Sequence, residues 1–399
     1  MSALPTPPHL RVAHITTIDL SLRVLLLRQL QALRDAGFDV SGISSAGSDV
    51  PALEAGGIRH IAVRMSRRYT PLADLRSLFE LWRVLRREKF DVVHTHTAKA
   101  GLLGQYAALL AGVPLRVHTI HGLYLPQNAS PRMRRAFVLL ERVTMRFSHY
   151  NFAVSAEDVP VAVAEKISKA ARIELSGNGI NLAAFSAERQ TPEKRAATRR
   201  SLGLTDEHLV VGMVARLVAE KGYLEMFEAA ALILKEEPRA RFIFVGGAEP
   251  EKSDAIGPET AAEWKIDGVS QFLGYRTDMP DLYAIMDVHV LPSHREGFPI
   301  APMEASAMGV ASVVTDVRGC RQAVDDGVTG LIVPVRAPRA LAAAIVTLLR
   351  DPEKRSRMGR AAREKAEREF DEQVVFAKVL AAYDRLLHRG NHGAITASD

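Results

Sequence analysis

Short apolar runs alternate with amphipathic stretches along almost the whole chain. Arg11–Thr16, Asp39–Ile43, Ile58–Val63, Val92–His94, Leu115–Ile120, Phe152–Val154 and Ile173–Leu175 are too short and too uniformly apolar for helices. They read as strands buried on both faces. Between them, apolar residues recur at helical spacing from Leu22 to about Ala36, from Pro71 to near Arg87, from Gly101 to Ala111 and onward from Pro131. Gly37 and Gly112 stand where helices stop. Asn178-Gly179 suits a turn, and residues 186–200 are polar, charged and proline-containing, as expected of a linker. The alternation then restarts. His208–Val214, Phe242–Val245, Val269–Phe272, Val288–Pro292, Ala311–Val314 and Leu331–Val333 read as strands, with helices over Tyr223–Lys235 and after Pro338, Pro352 and Asp371. The pattern predicts an α/β protein of two doubly wound, Rossmann-like parallel-sheet domains, residues 1–185 and 186–370, with a cleft between them. The helix over 371–388 is expected to cross back to the first domain.

In an open α/β sheet, ligands bind past the carboxyl ends of the strands. Candidate chemistry is therefore sought in the loops that follow apolar runs. After Val288–Pro292 comes R-E-G-F-P-I-A-P-M-E, with Glu296 in the loop and Glu304 expected in the first turn of a helix opened by Pro302 and closed by Gly309. Two carboxylates there can accept hydrogen bonds from a hydroxyl-rich ligand. Glu304 also fits an ordinary helix-capping role, and Glu296 beside Arg295 also fits a solvated pair. After His208–Val214 comes A-R-L-V-A-E-K-G, which sets Arg216 and Lys221 at a helix start, where a diphosphate could be neutralised without a metal. His94, His96, His118 and His121 lie at or after two strands but do not form H-E-x-x-H, and no carboxylate completes a zinc set. His121-Gly122 suits a hydrogen-bonding group at a cleft rim. Neither G-x-x-x-x-G-K-[ST] nor G-x-G-x-x-G occurs, which removes the main support for a P-loop ATPase or a dinucleotide oxidoreductase.

Composition narrows the setting. The 399 residues are 47% hydrophobic and 25% charged, ordinary for a globular chain. The single cysteine, Cys320, rules out an intrachain disulfide or a cysteine-rich zinc site. No run suggests a transmembrane helix or a signal peptide, so a cytoplasmic setting is expected. The net charge of +6 is concentrated. Residues 64–90 hold eight basic residues against three acids, and 131–148 five against one. Such stretches suit an anionic partner, and they also suit merely soluble helices.

E-G-F-P-I-A-P-M-E at 296–304, L-P-S-H-R-E-G-F at 291–298, A-R-L-V-A-E-K-G at 215–222 and N-G-I-N-L-A-A-F at 178–185 resemble retaining GT-B glycosyltransferases of family 4. H-T-H-T-A-K-A-G-L-L-G at 94–104 and T-I-H-G-L-Y at 119–124 resemble the branch acting on polyprenyl-linked sugars in bacterial surface-glycan assembly. The resemblance implies transfer from a nucleotide sugar, UDP-linked by the branch, to a polyprenyl-diphosphate-linked saccharide with anomeric retention. It implies no cofactor, no obligatory metal and no nucleic-acid partner. By position, Arg216, Lys221, Glu296 and His121 would be catalytic. Arg216, Lys221, Tyr275, Arg276, Glu296, Gly297, Phe298, Pro299, Ile300 and Glu304 would bind the donor, with Lys99 and Thr17 on the acceptor side. A peripheral place on an anionic membrane face would follow. The chain departs from the family at T-T-I-D-L-S (16–21), at Pro299 and at Gly246-Gly247-Ala248, where glycines are differently placed. A soluble transferase with a small acceptor, a non-catalytic nucleotide-sugar binder and an epimerase on the same fold are the alternatives.

Overall fold

A computed structural model describes residues 10–68, 70–123, 130–249, 252 and 254–391. The N-terminal segment, the Asn128–Ser130 sequon apart from Ser130, Tyr124 and the end of the tail lie outside these residues. The chain divides into two compact units, Met1–Gly177 with Val375–Asp399, and Asn178–Val374.

The first unit is built on β1 (Arg11–Ile18), β2 (Asp39–Ser45), β3 (Arg59–Ala62), β4 (Val92–His96), β5 (Leu115–Ile120), β6 (Tyr150–Ala153) and β7 (Ile173–Leu175). All pair in parallel, in the order β3-β2-β1-β4-β5-β6-β7. The order reverses direction between β1 and β4, and crossovers from these two strands leave to opposite sides, which opens a crevice past their carboxyl ends. Both faces are covered, as the apolar strands demand. Ile15, Ile43, Leu81, Leu85, Ala100 and Ala107 pack under helices Pro71–Glu88 and Ala98–Ala111. On the other face Leu22, Leu30, Val117 and Phe152 meet Val379, Ala382 and Tyr383 of the terminal helix Glu372–Asn391. The single helix expected from Leu22 begins instead as a π-helical turn, Leu22–Leu26, before regular helix over Leu27–Asp35. Leu22 and Leu26 of this turn are both buried on the sheet.

The second unit carries β8 (Leu209–Val214), β9 (Ala240–Val245), β10 (Ser270–Phe272), β11 (Val288–Leu291), β12 (Ser312–Thr315) and β13 (Gly330–Val333). The order is β10-β9-β8-β11-β12-β13, again all parallel, with its reversal between β8 and β11. Tyr223, Phe227 and Phe244 form the aromatic centre of its core, with Phe227 and Phe244 edge to face at 5.4 Å. Of residues 186–200, read as linker, 192–200 belong to a helix, Pro192–Ser201. Thr191 caps it by accepting from the Lys194 amide, and Pro192 opens it, a start signature that polar composition concealed.

Tyr383 is fully buried and its hydroxyl lies 2.7 Å from His94 Nδ1, so one residue ties the terminal helix to the sheet. Tyr383→Ala is expected to lower the unfolding free energy by about 3–5 kcal/mol, through the cavity and the stranded imidazole. A urea titration followed by circular dichroism would read this, and a loss under about 1 kcal/mol would mean that the helix docks without it.

Candidate active site

In the second unit, the loops after β8 and β11 flank the reversal of strand order. Gly222 makes their approach possible. Its φ is +82°, and a Cβ there would fall 2.0 Å from the Pro292 carbonyl oxygen. Lys221, immediately before it, thereby reaches the acidic loop, and its Nζ lies 2.7 Å from Glu296 Oε1. Their side chains are 14% and 10% exposed. Two opposite charges so far removed from water hold each other, and removing one would strand the other. Cys320 is buried close enough to both charges to feel them, Glu296 raising and Lys221 lowering its thiol pKa; burial is the larger effect and raises it well above the usual range.

Glu304 sits differently from its expected place. The helix begins at Ile300 after Pro299, so Pro302 is its third residue and Glu304 its fifth. A proline is tolerated there because first-turn amides have no intrahelical acceptor. Glu304 is thus beyond the capping position. Burial raises its carboxyl to about 7, while the Tyr283 hydroxyl, donating at 2.9 Å, works the other way. Arg216 is paired with Glu249, which also accepts Lys252 Nζ at 2.9 Å. Tyr275 is exposed after β10, and Arg276 Nε donates to Asp278 at 2.8 Å. Phe298 turns its ring inward onto Phe370, and its carbonyl accepts from Asn178 Nδ2 at 2.9 Å. The Phe298 side chain is therefore committed to the interior. Gly319 packs against this loop, where a Cβ would lie 2.2 Å from the Gly297 oxygen.

In the first unit, Thr17, Thr97 and His121 stand at the carboxyl ends of β1, β4 and β5. Thr17 Oγ1 lies 3.3 Å from Thr97 Oγ1. Thr97 has φ +65°, a strained state for a β-branched residue and one that marks functional loops. Lys99 is buried; its ammonium is paired at 2.5 Å with Asp74 in the first turn of helix Pro71–Glu88 and donates to the Arg68 carbonyl just before that helix. Behind the rim lies a buried group of imidazoles. His14 Nδ1 is 2.9 Å from His96 Nε2, and His96 Nδ1 is 3.0 Å from His121 Nε2. Among the described residues, His14, His94 and His96 place ring nitrogens within 4.8 Å of one another, close enough for a metal ion to be considered. Each of their nitrogens, however, has a hydrogen-bond partner within the chain. His118, by contrast, faces Thr95 Oγ1 at 2.8 Å. Burial lowers His14 and His118 to about 3 and His121 to about 4, so all three are neutral at pH 7.

Sequence reasoning missed Glu249, Tyr283, His14, Thr119 and Tyr383, which meet their partners only through the fold. Of these, His14 and Thr119 had a local signal, each a polar residue inside an apolar strand.

The Glu304 carboxyl titrates higher in the folded chain than when unfolded. Its protonated form therefore favours folding, and that contribution disappears as pH rises through about 7. Glu304→Gln is expected to raise stability by on the order of 1–3 kcal/mol above pH 7 and to leave it little changed below pH 4.5. Denaturation of both proteins across pH 4–9 checks this, and parallel curves would show that Glu304 titrates normally.

Residues 23–184 match glycosyltransferase family 4, and residues 194–365 match glycosyl transferases group 1. The chain is 27% identical over 87% of its length, and 89% of the relative's, to the UDP-Gal:alpha-D-GlcNAc-diphosphoundecaprenol alpha-1,3-galactosyltransferase of Escherichia coli. It is 31% identical to the D-inositol 3-phosphate glycosyltransferase of Kribbella flavida, over 74% of this chain and 71% of that one. Among solved structures, the Anabaena protein HepE in complex with UDP and glucose superposes with a TM-score of 0.81, at 22% identity, over 94% of this chain and all of that one. The fold is the GT-B fold, and the chain belongs to the family 4, group 1 glycosyltransferases.

Proposed function

We propose that the protein moves a sugar from a UDP-sugar to a polyprenyl-diphosphate-linked saccharide, with retention at the anomeric carbon. The observation that carries the donor half is the Lys221–Glu296 pair, set at the strand-order reversal of the second unit. The ammonium, with Arg216, suits a diphosphate whose charge grows as the sugar leaves. Glu296 suits the sugar hydroxyls, and the amides of Gly297, Phe298 and Ile300 lie at a helix start where Pro299 offers none. Glu304, held by Tyr283, suits the ribose. Tyr275 and Arg276 flank the base. In the transfer, the bond from the anomeric carbon to the diphosphate oxygen breaks and the acceptor hydroxyl oxygen bonds to that carbon on the same face. The hydroxyl proton passes to the departing phosphate, so no protein nucleophile is consumed.

The acceptor half rests on the likeness to the Escherichia coli galactosyltransferase and on the rim of Thr17, Thr97 and His121. A lipid-linked acceptor calls for a surface that meets a bilayer. Leu72, Leu75 and Phe79 on helix Pro71–Glu88 are 88%, 65% and 54% exposed. With Trp82 and Leu110 they line an open groove of about 780 Å³. Arginines share this helix, although Arg76 binds Glu80 and Arg87 binds Glu88. No helix among the described residues is long and apolar enough to cross a membrane, so the proposed contact is peripheral. The likeness to the D-inositol 3-phosphate enzyme favours a second reading, a small polar acceptor.

Lys221→Ala and Glu296→Ala are each expected to lower turnover by at least about 100-fold in a donor-consumption assay, since each removes charge stabilisation at the leaving group. Near-normal rates in the folded variants would overturn the assigned roles. Transfer with a polyprenyl-diphosphate sugar and none with inositol phosphate supports the first reading, and the reverse supports the second. The protein is expected to sediment with anionic vesicles and to be released by high salt. Leu72→Ser with Phe79→Ser should reduce the bound fraction several-fold by removing apolar insertion. Binding indifferent to both changes would exclude this helix as the membrane contact.

A further inference from the structure

A continuous hydrogen-bond chain runs through the first unit and ends at His121. Thr119 Oγ1 lies 2.6 Å from His94 Nε2, and His94 Nδ1 lies 2.7 Å from the Tyr383 hydroxyl. Tyr383 Oη is 3.4 Å from His14 Nε2, His14 Nδ1 is 2.9 Å from His96 Nε2, and His96 Nδ1 is 3.0 Å from His121 Nε2. Apart from the two ends, each side chain in the series touches a neighbour on either side. Each neutral imidazole carries one ring proton, so it donates on one side and accepts on the other. Tyr383 is buried and, among the described residues, its hydroxyl has only His94 and His14 as partners, so its hydrogen must go to one of them; the whole series then points one way, and only two directions exist.

Thr119 decides between them. Its side chain is buried, and among the described residues His94 is the only hydrogen-bond partner of its hydroxyl. If His94 donated to Thr119, the threonine hydrogen would be left buried without an acceptor, which native interiors avoid. Thr119 therefore donates to His94 Nε2. His94 Nδ1 donates to Tyr383, Tyr383 to His14 Nε2, His14 Nδ1 to His96 Nε2, and His96 Nδ1 to His121 Nε2. With Nε2 accepting, the proton of His121 resides on Nδ1.

We propose that Thr119, His94, Tyr383, His14 and His96 act as a positioning relay that locks His121 as the Nδ1–H tautomer, so that it offers a hydrogen-bond donor to a ligand oxygen. Burial of the series keeps its rings neutral, which the directional chain requires. The relay deepens the glycosyltransferase reading, and rests on it, in assigning that oxygen to a saccharide substrate. A sugar hydroxyl or ring oxygen can accept from Nδ1–H, and the same nitrogen cannot serve as a base. Tyr383 reaches this site from the last helix, more than 260 residues along the chain from His121.

The test is a two-bond proton–nitrogen correlation spectrum of the full chain labelled with 15N-histidine, with His121 assigned from the signals lost in His121→Asn. A protonated Nδ1 and an unprotonated Nε2 at His121 are expected. A protonated Nε2, or averaged nitrogens, would overturn the proposal. Thr119→Val keeps shape while removing the hydroxyl and should convert His121 to mixed tautomers, whereas Thr119→Ser should preserve the wild-type spectrum. An unchanged His121 in folded Thr119→Val would overturn the relay, and if that variant does not fold the wild-type spectrum still decides. Because the spectrum needs no substrate, failure of the relay is separable from failure of the sugar-transfer reading. In turnover, Thr119→Val is expected to lower kcat about fivefold to tenfold with little change in KM, and Thr119→Ser to restore it.

Discussion

A polar group withdrawn from water must find a partner, and this constraint shapes the functional parts of both units. It explains why Lys221 and Glu296, separated by 75 positions, meet at 2.7 Å. It explains the burial of Lys99 against Asp74, and the succession of imidazoles behind His121. Parallel sheets covered on both faces leave little room for polar side chains except at the ends of strands. There the chain must supply partners in matched sets, and those sets are what a ligand later meets.

The two units solve this problem with different chemistry. The second gathers charges, Lys221 with Glu296 and Arg216 with Glu249, beside a carboxyl whose burial holds it near neutrality. Such a crevice is suited to a ligand that brings its own negative charge. The first presents neutral donors and acceptors, threonine hydroxyls and imidazoles, with a strained Thr97 at the rim. Such groups are suited to hydroxyl-rich molecules, for which the direction of each hydrogen bond would set specificity.

The strands were legible because a parallel strand buried on both faces must be apolar throughout, and Leu115–Ile120 and Ile173–Leu175 stand where the pattern predicts them. Ends of elements were less so. Pro302 read as a helix start lies inside the helix, because an early turn has no hydrogen bond for proline to break. The segment 192–200 looked like linker because a solvent-facing helix needs no apolar stripe when its cap and first proline suffice. Several arginines of the basic stretches are held by Glu80, Glu88 and Glu165, pairings that composition does not show.

What the sequence by itself determined is the succession of elements, the doubly wound class, the loops that carry Arg216, Lys221 and Glu296, and the helix after them that carries Glu304. Periodicity, glycine placement and short motifs are local properties, and they survive without coordinates. Only the tertiary structure decided the pairings. It set Lys221 on Glu296 rather than on solvent, gave Arg216 to Glu249, and placed Tyr283 against Glu304. It also inserted Tyr383 between His94 and His14. These partners come from strands and helices distant in the chain, and their energies depend on burial, which no single segment possesses until the sheet has formed.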